Sequence, residues 1–201
     1  MVFFYEFSSL SHYNSPISSL YAPQFLSENF KIESFVRRDF NLINRYGFGI
    51  SYKYIGFFWY SINVEDEFIN TISFGMNIFN IGSNVIYQYP NKASFGIGFN
   101  RTFLNFNICA YTLIKKFSYV CSYFEYKNVF FGFDIYLEEK FSTDYRFFIS
   151  YKINNKSSIQ ISSSSNINGF SIGYKYNFFI FNYFYHSYLG DSFGFRIIYE
   201  K

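Results

Sequence analysis

Several things this chain lacks narrow its identity. Prolines number 3, methionines 2, cysteines 2 and tryptophans 1 in 201 residues. No stretch reaches the ~20 uninterrupted apolar residues of a membrane helix, which excludes a helical membrane protein. Alanine and leucine, the strong helix formers, are scarce. Charged residues make up 15%, where a soluble surface ordinarily supports a composition of about 25%. The net charge of +3 is too mild to point to nucleic acid. Two cysteines, Cys109 and Cys121, make neither a metal site nor a disulfide framework, and they read as free thiols. The opening MVFFYEFSSLSHYN has no basic region, no apolar core ending in small residues, and an early Glu6. The expectation is a chain without a secretory signal or transit peptide.

What is abundant is aromatic: 32 Phe and 22 Tyr, with aromatics at 27% and hydrophobic residues at 50%. Phe, Tyr and Ile favour strands, and their order is strictly alternating. In RYGFGISYKY, Phe48, Ile50, Tyr52 and Tyr54 oppose Gly47, Gly49, Ser51 and Lys53. In TISFGMNIF, Ile72, Phe74, Met76 and Ile78 oppose Ser73, Gly75 and Asn77. The pattern recurs through ASFGIGFN, LNFNICA, VFFGFDIYLEE, YRFFISYKIN, NGFSIGYKYN and the terminal GDSFGFRIIYEK. Successive side chains of a strand point to opposite faces, so one face of each segment is bulky and apolar and the other is Gly, Ser, Asn and Lys. Segments return about every ten to twelve residues, with turn candidates at NIG (80–82), PNK (90–92), NNK (154–156) and NIN (166–168).

A β-sandwich also alternates, but a core about 10 Å thick cannot hold this many rings. A transmembrane β-barrel can, because lipid covers the aromatic face and closure removes the sheet edges. The expected fold is all-β: a barrel of about 13–15 antiparallel strands over residues 46–201, after an N-terminal segment, 1–45, with a short helix and the start of the first strand. Parity points Lys53, Asp134, Glu138, Lys152, Lys175, Arg196 and Glu200 into the lumen. No enzyme is expected. The two histidines, His12 and His186, have no organised partners, and GFGIS and SFGIGFN lack the lysine–serine and strand-to-helix context of a phosphate loop. No cofactor or metal is implied.

The terminal strand is more specific. Ser192, Phe193, Gly194, Phe195, Arg196, Ile197, Ile198 and Tyr199 fill the order polar, any, glycine, any, any, hydrophobic, any, hydrophobic. This resembles the sorting signal (β-signal) of mitochondrial outer-membrane barrels, with Ser192, Gly194, Ile197 and Tyr199 in its constrained places. In YHSYLGDSFG, His186 lies eight residues before Gly194, which resembles the penultimate-hairpin histidine of the TOM translocase channel branch, although Tyr185 stands where that branch has asparagine. APQFLSENFKIESFVRRDFNL loosely resembles the same branch's segment before the first strands, through Pro23 and Phe25. The chain therefore resembles the mitochondrial porin superfamily in short, divergent form.

That resemblance implies up to nineteen strands, here necessarily short. It implies the outer membrane of a mitochondrion or mitosome-like organelle, and import of unfolded precursor polypeptides. The implied partners are the lipid bilayer, small helical translocase subunits, receptors and further copies of the chain, with no nucleic acid. Two alternatives stand beside it: a metabolite and ion porin like the voltage-dependent anion channel, suggested by the mildly basic lumen, and a soluble aromatic-rich β-sandwich binding module.

Overall fold

The computed structural model describes residues 15–201 except 66, 91, 115, 139–142 and 166–168. The described residues form fourteen strands: β1 (Lys31–Asp39), β2 (Ile43–Tyr52), β3 (Ile55–Val64), β4 (Glu67–Ile78), β5 (Ile81–Gln88), β6 (Lys92–Phe103), β7 (Phe106–Leu113), β8 (Phe117–Tyr126), β9 (Val129–Glu138), β10 (Asp144–Lys152), β11 (Ser157–Ser164), β12 (Gly169–Tyr176), β13 (Phe179–His186) and β14 (Gly190–Glu200). Each pairs antiparallel with its sequence neighbours, and β1 pairs antiparallel with β14, so the sheet closes into one barrel. An even count is what lets the first and last strands meet antiparallel. Fourteen lies within the expected 13–15, and the nineteen-strand option is set aside. The sandwich alternative fails as well, because the single closed sheet has no second sheet to cover its aromatic face.

That face points outward. Phe95, Phe147 and Phe193 are 57%, 57% and 60% exposed, and similar rings circle the barrel. A continuous apolar girdle of this kind needs a bilayer. Register keeps it continuous: Phe48 faces Trp59, and Ile50 faces Phe57, on the outside of the β2–β3 pair.

The barrel begins at Lys31 and not near residue 46. β1 and the start of β2 lie inside the stretch read as the N-terminal segment. Parity overlooked β1 because its outer face, Ile32, Ser34, Val36 and Arg38, is only half apolar. The expected short helix is α1 (Ser18–Tyr21), followed by a 3-10 turn at Pro23–Phe25.

At the end of the barrel where β1 starts and β14 finishes, most hairpins have two-residue loops. Lys53 and Tyr54 take φ of 47° and 66°, and Phe79 and Asn80 take 51° and 67°, the left-handed pairs whose twist matches that of the flanking strands. Lys53 is therefore an exposed turn residue beside the Tyr52 ring (5.2 Å), and not part of the lumen wall. Parity carried it one step too far, past the strand end at Tyr52. The NIG turn also shifts: the loop is Phe79–Asn80, and Ile81 already belongs to β5. The NNK stretch lies in the β10–β11 turn. NIN (166–168), Glu6 and His12 lie outside the described residues.

The free-thiol reading is corrected. Cys109 and Cys121 face each other across β7 and β8, with Cα atoms 5.0 Å apart, and form a disulfide. Their spacing of twelve residues places them opposite only once the turn between the strands is fixed, a register that composition cannot supply. Direct cross-strand neighbours fall in the separation that a disulfide spans.

The membrane-facing reading of the outer surface has a direct test. Phe147→Lys, at mid-height on β10, is expected to destabilise the barrel by about 2–4 kcal/mol in liposome unfolding titrations, while Ser150→Lys on the inner face changes little. Equal costs at the two positions would contradict the assignment of faces.

Candidate functional site

The lumen has two unlike halves. Against β2–β6 lies the N-terminal segment 15–26, buried along its whole length. The inward faces of these strands are small because the segment's backbone presses on them. A Cβ at Gly82 would overlap the backbone of Pro23 and Gln24, and one at Gly75 would come 2.9 Å from Ser19 Cα. The Gly, Ser and Asn of the inner face, read from the alternation, form a seat in this half of the barrel.

Polar side chains of the wall hold the segment's backbone. Asn77 Nδ2 donates to the carbonyls of Gln24 and Leu26 (3.0 and 2.9 Å). Asn84 Nδ2 donates to those of Ser19 and Leu20 (2.8 and 2.9 Å), and its Oδ1 accepts from the Tyr111 hydroxyl (3.0 Å). Gln24 Nε2 donates to the Tyr119 hydroxyl (2.9 Å), and the Ser19 and Ser73 hydroxyls are 2.9 Å apart. Around the segment, Ile17, Leu20, Tyr21, Phe35, Phe58 and Tyr60 belong to one apolar core.

The opposite wall, β9–β14 with β1, borders open space. A cavity of about 450 Å³ is lined by Lys31, Lys152, Lys156, Lys175, Arg196 and Glu200, with Ser150, Ser158, Gln160 and Asn182 between the charges. A second cavity of about 40 Å³ shares Gln160, Gly173, Asn182 and Arg196 with the first and is bounded by Arg37, Phe184 and Ser192. The Arg37 guanidinium lies 5.8 Å from the Phe184 ring centre. The open space thus narrows from a basic vestibule to an Arg37–Phe184 neck.

Ion pairs organise the boundary between the halves. Arg196 on β14 pairs with Glu33 on β1, Glu33 accepts the Ile17 N–H (3.0 Å), and Arg196 Nη2 donates to the Ser15 hydroxyl (2.9 Å). Asp39 pairs with both Arg37 and Arg45, and Arg45 Nη1 donates to the Tyr60 hydroxyl (2.8 Å). Lys31 pairs with Glu200 (3.2 Å), which also accepts from the Asn29 amide (2.6 Å).

Among the residues anticipated from sequence, Lys152, Lys175, Arg196 and Glu200 meet around the larger cavity. Asp134 is fully buried in the wall, and Glu138 lies at the far end of β9. Ser192 and Gly194 sit on the inner face of β14, opposite Asp39 and Arg37, while Ile197 and Tyr199 share its other face with the exposed Phe193. His186 ends β13, and its Nδ1 accepts the N–H groups of Tyr188 and Leu189 (3.0 and 3.2 Å), bracing the turn into β14. Sequence reasoning did not anticipate the acceptor-filled segment 15–26, its asparagine anchors, or the charged inner face of β1. The last carried a signal: Lys31, Glu33, Arg37 and Asp39 recur with period two in KIESFVRRD.

No protein-family model and no curated protein matches the sequence. The fold is similar to the Acinetobacter baumannii outer membrane protein Omp33, with TM-score 0.63 and 8% identity, over 87% of this chain and 98% of that one. It is also similar to a triple mutant of the Rh. blastica porin, with TM-score 0.53 and 8% identity, over 86% and 99%. At such identities the likeness is one of fold: a closed, porin-like β-barrel.

Asn84→Leu leaves two buried carbonyls of the segment without a donor. It is expected to cost about 1–3 kcal/mol and to expose residues 15–26 to protease in the otherwise folded barrel. The check is the fragment pattern of liposome-inserted protein, where equal cleavage of the unsubstituted chain would refute the docked segment.

Proposed function

We propose that the chain is a narrow pore for small polar solutes in an outer membrane, conducting along the β9–β14 wall and not through the middle of the barrel. The observation that carries this reading is the large polar cavity along one wall, with a smaller cavity beside it that shares Gln160, Gly173, Asn182 and Arg196, within a barrel of porin-like fold. The neck at Phe184 is the narrow point, since an apolar side chain at a constriction resists wetting. Widening it is the test. Phe184→Ala is expected to raise single-channel conductance in planar bilayers by about twofold or more, with the girdle and the segment 15–26 untouched. An unchanged conductance would move the path elsewhere.

Import of unfolded polypeptides, in the outer membrane of a mitochondrion or mitosome-like organelle, is the second reading. His186, eight residues before Gly194, favours the import branch, and the match of Ser192, Gly194, Ile197 and Tyr199 to the β-signal favours that membrane. It asks more of the barrel, because an extended chain needs the volume that residues 15–26 now fill. The fourteen strands and the antiparallel closing pair also depart from the nineteen-stranded family that suggested it. The small-solute pore therefore stands first.

A further inference from the structure

We propose that the basic vestibule is a binding site for a small polyvalent anion bearing phosphate groups, entered from the end of the barrel where β1 begins and β14 ends. This deepens the pore reading, on which it rests, by naming the class of solute.

Among the described residues, the larger cavity is lined by five cationic side chains and one carboxylate. Two of the cations are already engaged, Lys31 by Glu200 and Arg196 by Glu33. Lys152, Lys156 and Lys175 have no carboxylate within ion-pair distance among the described residues. Lys175 lies within electrostatic reach of Lys31, Lys152 and Arg196, with Glu200 the one opposing charge. Like charges on the wall of a low-dielectric barrel repel, and the field they focus favours an entering anion.

The uncharged lining fits the same ligand. Gln160 belongs to both cavities, and its Nε2 has no hydrogen-bond partner among the described residues. The Ser158 hydroxyl on β11 and the Asn182 amide on β13 supply further donors. A volume of about 450 Å³ exceeds what one halide or a few waters occupy, while the 40 Å³ neck stops a bulkier chain from following. Three unengaged ammonium groups call for a ligand with at least two negative charges, and phosphate oxygens take lysine as a point-charge partner.

The test uses the full chain folded in neutral detergent and inorganic pyrophosphate as probe, read by calorimetry. Saturable binding is expected, weakened about tenfold or more by Lys152→Gln with Lys175→Gln. The control pair Lys53→Gln with Lys127→Gln removes the same charge from exposed turns and should leave binding unchanged. No saturable binding, equal weakening by both pairs, or acetate binding as tightly as pyrophosphate would overturn the proposal. In planar bilayers, pyrophosphate is expected to reduce current from one face only, and equal block from both faces would overturn the one-sided entry. Calorimetry does not require conduction. Binding without any measurable current would sink the pore and leave the site, whereas current without binding would sink the site and leave the pore.

Discussion

The Glu33–Arg196 pair is the interaction on which the rest of this barrel depends. Both side chains are buried, and a charge of either sign left alone there would cost several kcal/mol. One partner comes from the first strand and the other from the last, 163 residues apart in sequence. The pair can form only when β1 and β14 have met, which is also the step that satisfies the last open backbone edges in lipid. Its spare hydrogen-bonding capacity goes to Ile17 and Ser15, so the segment inside the lumen is fastened to the seam itself. Barrel closure, docking of the segment and the charge on the vestibule wall are thus one network.

Strand number explains why such a segment exists. Eight strands enclose a space that side chains can fill, and sixteen or more enclose an aqueous channel. Fourteen fall between. Here β7 and β8 reach inward with Tyr111 and Tyr119, β2–β6 are seated on residues 15–26, and β9–β14 remain lined by Ser, Gln, Asn and Lys. The interior is divided by where bulk is placed on the inner face, and the open part is the part with no docked chain.

The two faces differed in how readable they were. The outward face answers to a single uniform partner, lipid, so its demand repeats at every second residue, and the fold class could be read directly, together with β2, β4, β6, β7, β9, β10, β12 and β14. The inward face answers to whatever lies opposite, which varies from strand to strand and is set by contacts distant in sequence. Asn84 holding Ser19 and Leu20, or Cys109 meeting Cys121, becomes visible only with register in hand. Lys53 shows the same limit at a strand end, where alternation continues in the letters after the strand has turned. Within the candidate site, Lys152, Lys175, Arg196 and Glu200 were legible because each lies on a strand whose outer face is strongly apolar. Lys31, Glu33 and Arg37 were not, because β1 presents Ser34 and Arg38 on its outer face.

Gly194 separates the demands of the finished barrel from those of building it. A Cβ added there would find its nearest neighbour, Arg37 Cβ, at 3.7 Å, an ordinary contact, whereas the same atom at Gly82 would collide with backbone. The closed β1–β14 pair can therefore accept a methyl group at 194 without displacement. Any requirement for glycine in the terminal strand must arise before closure, while β14 is still a free edge, because no atom in the closed state enforces it. Packing is thus neutral at Gly194, and the pattern around it bears on how the strand is assembled and not on what the pore carries.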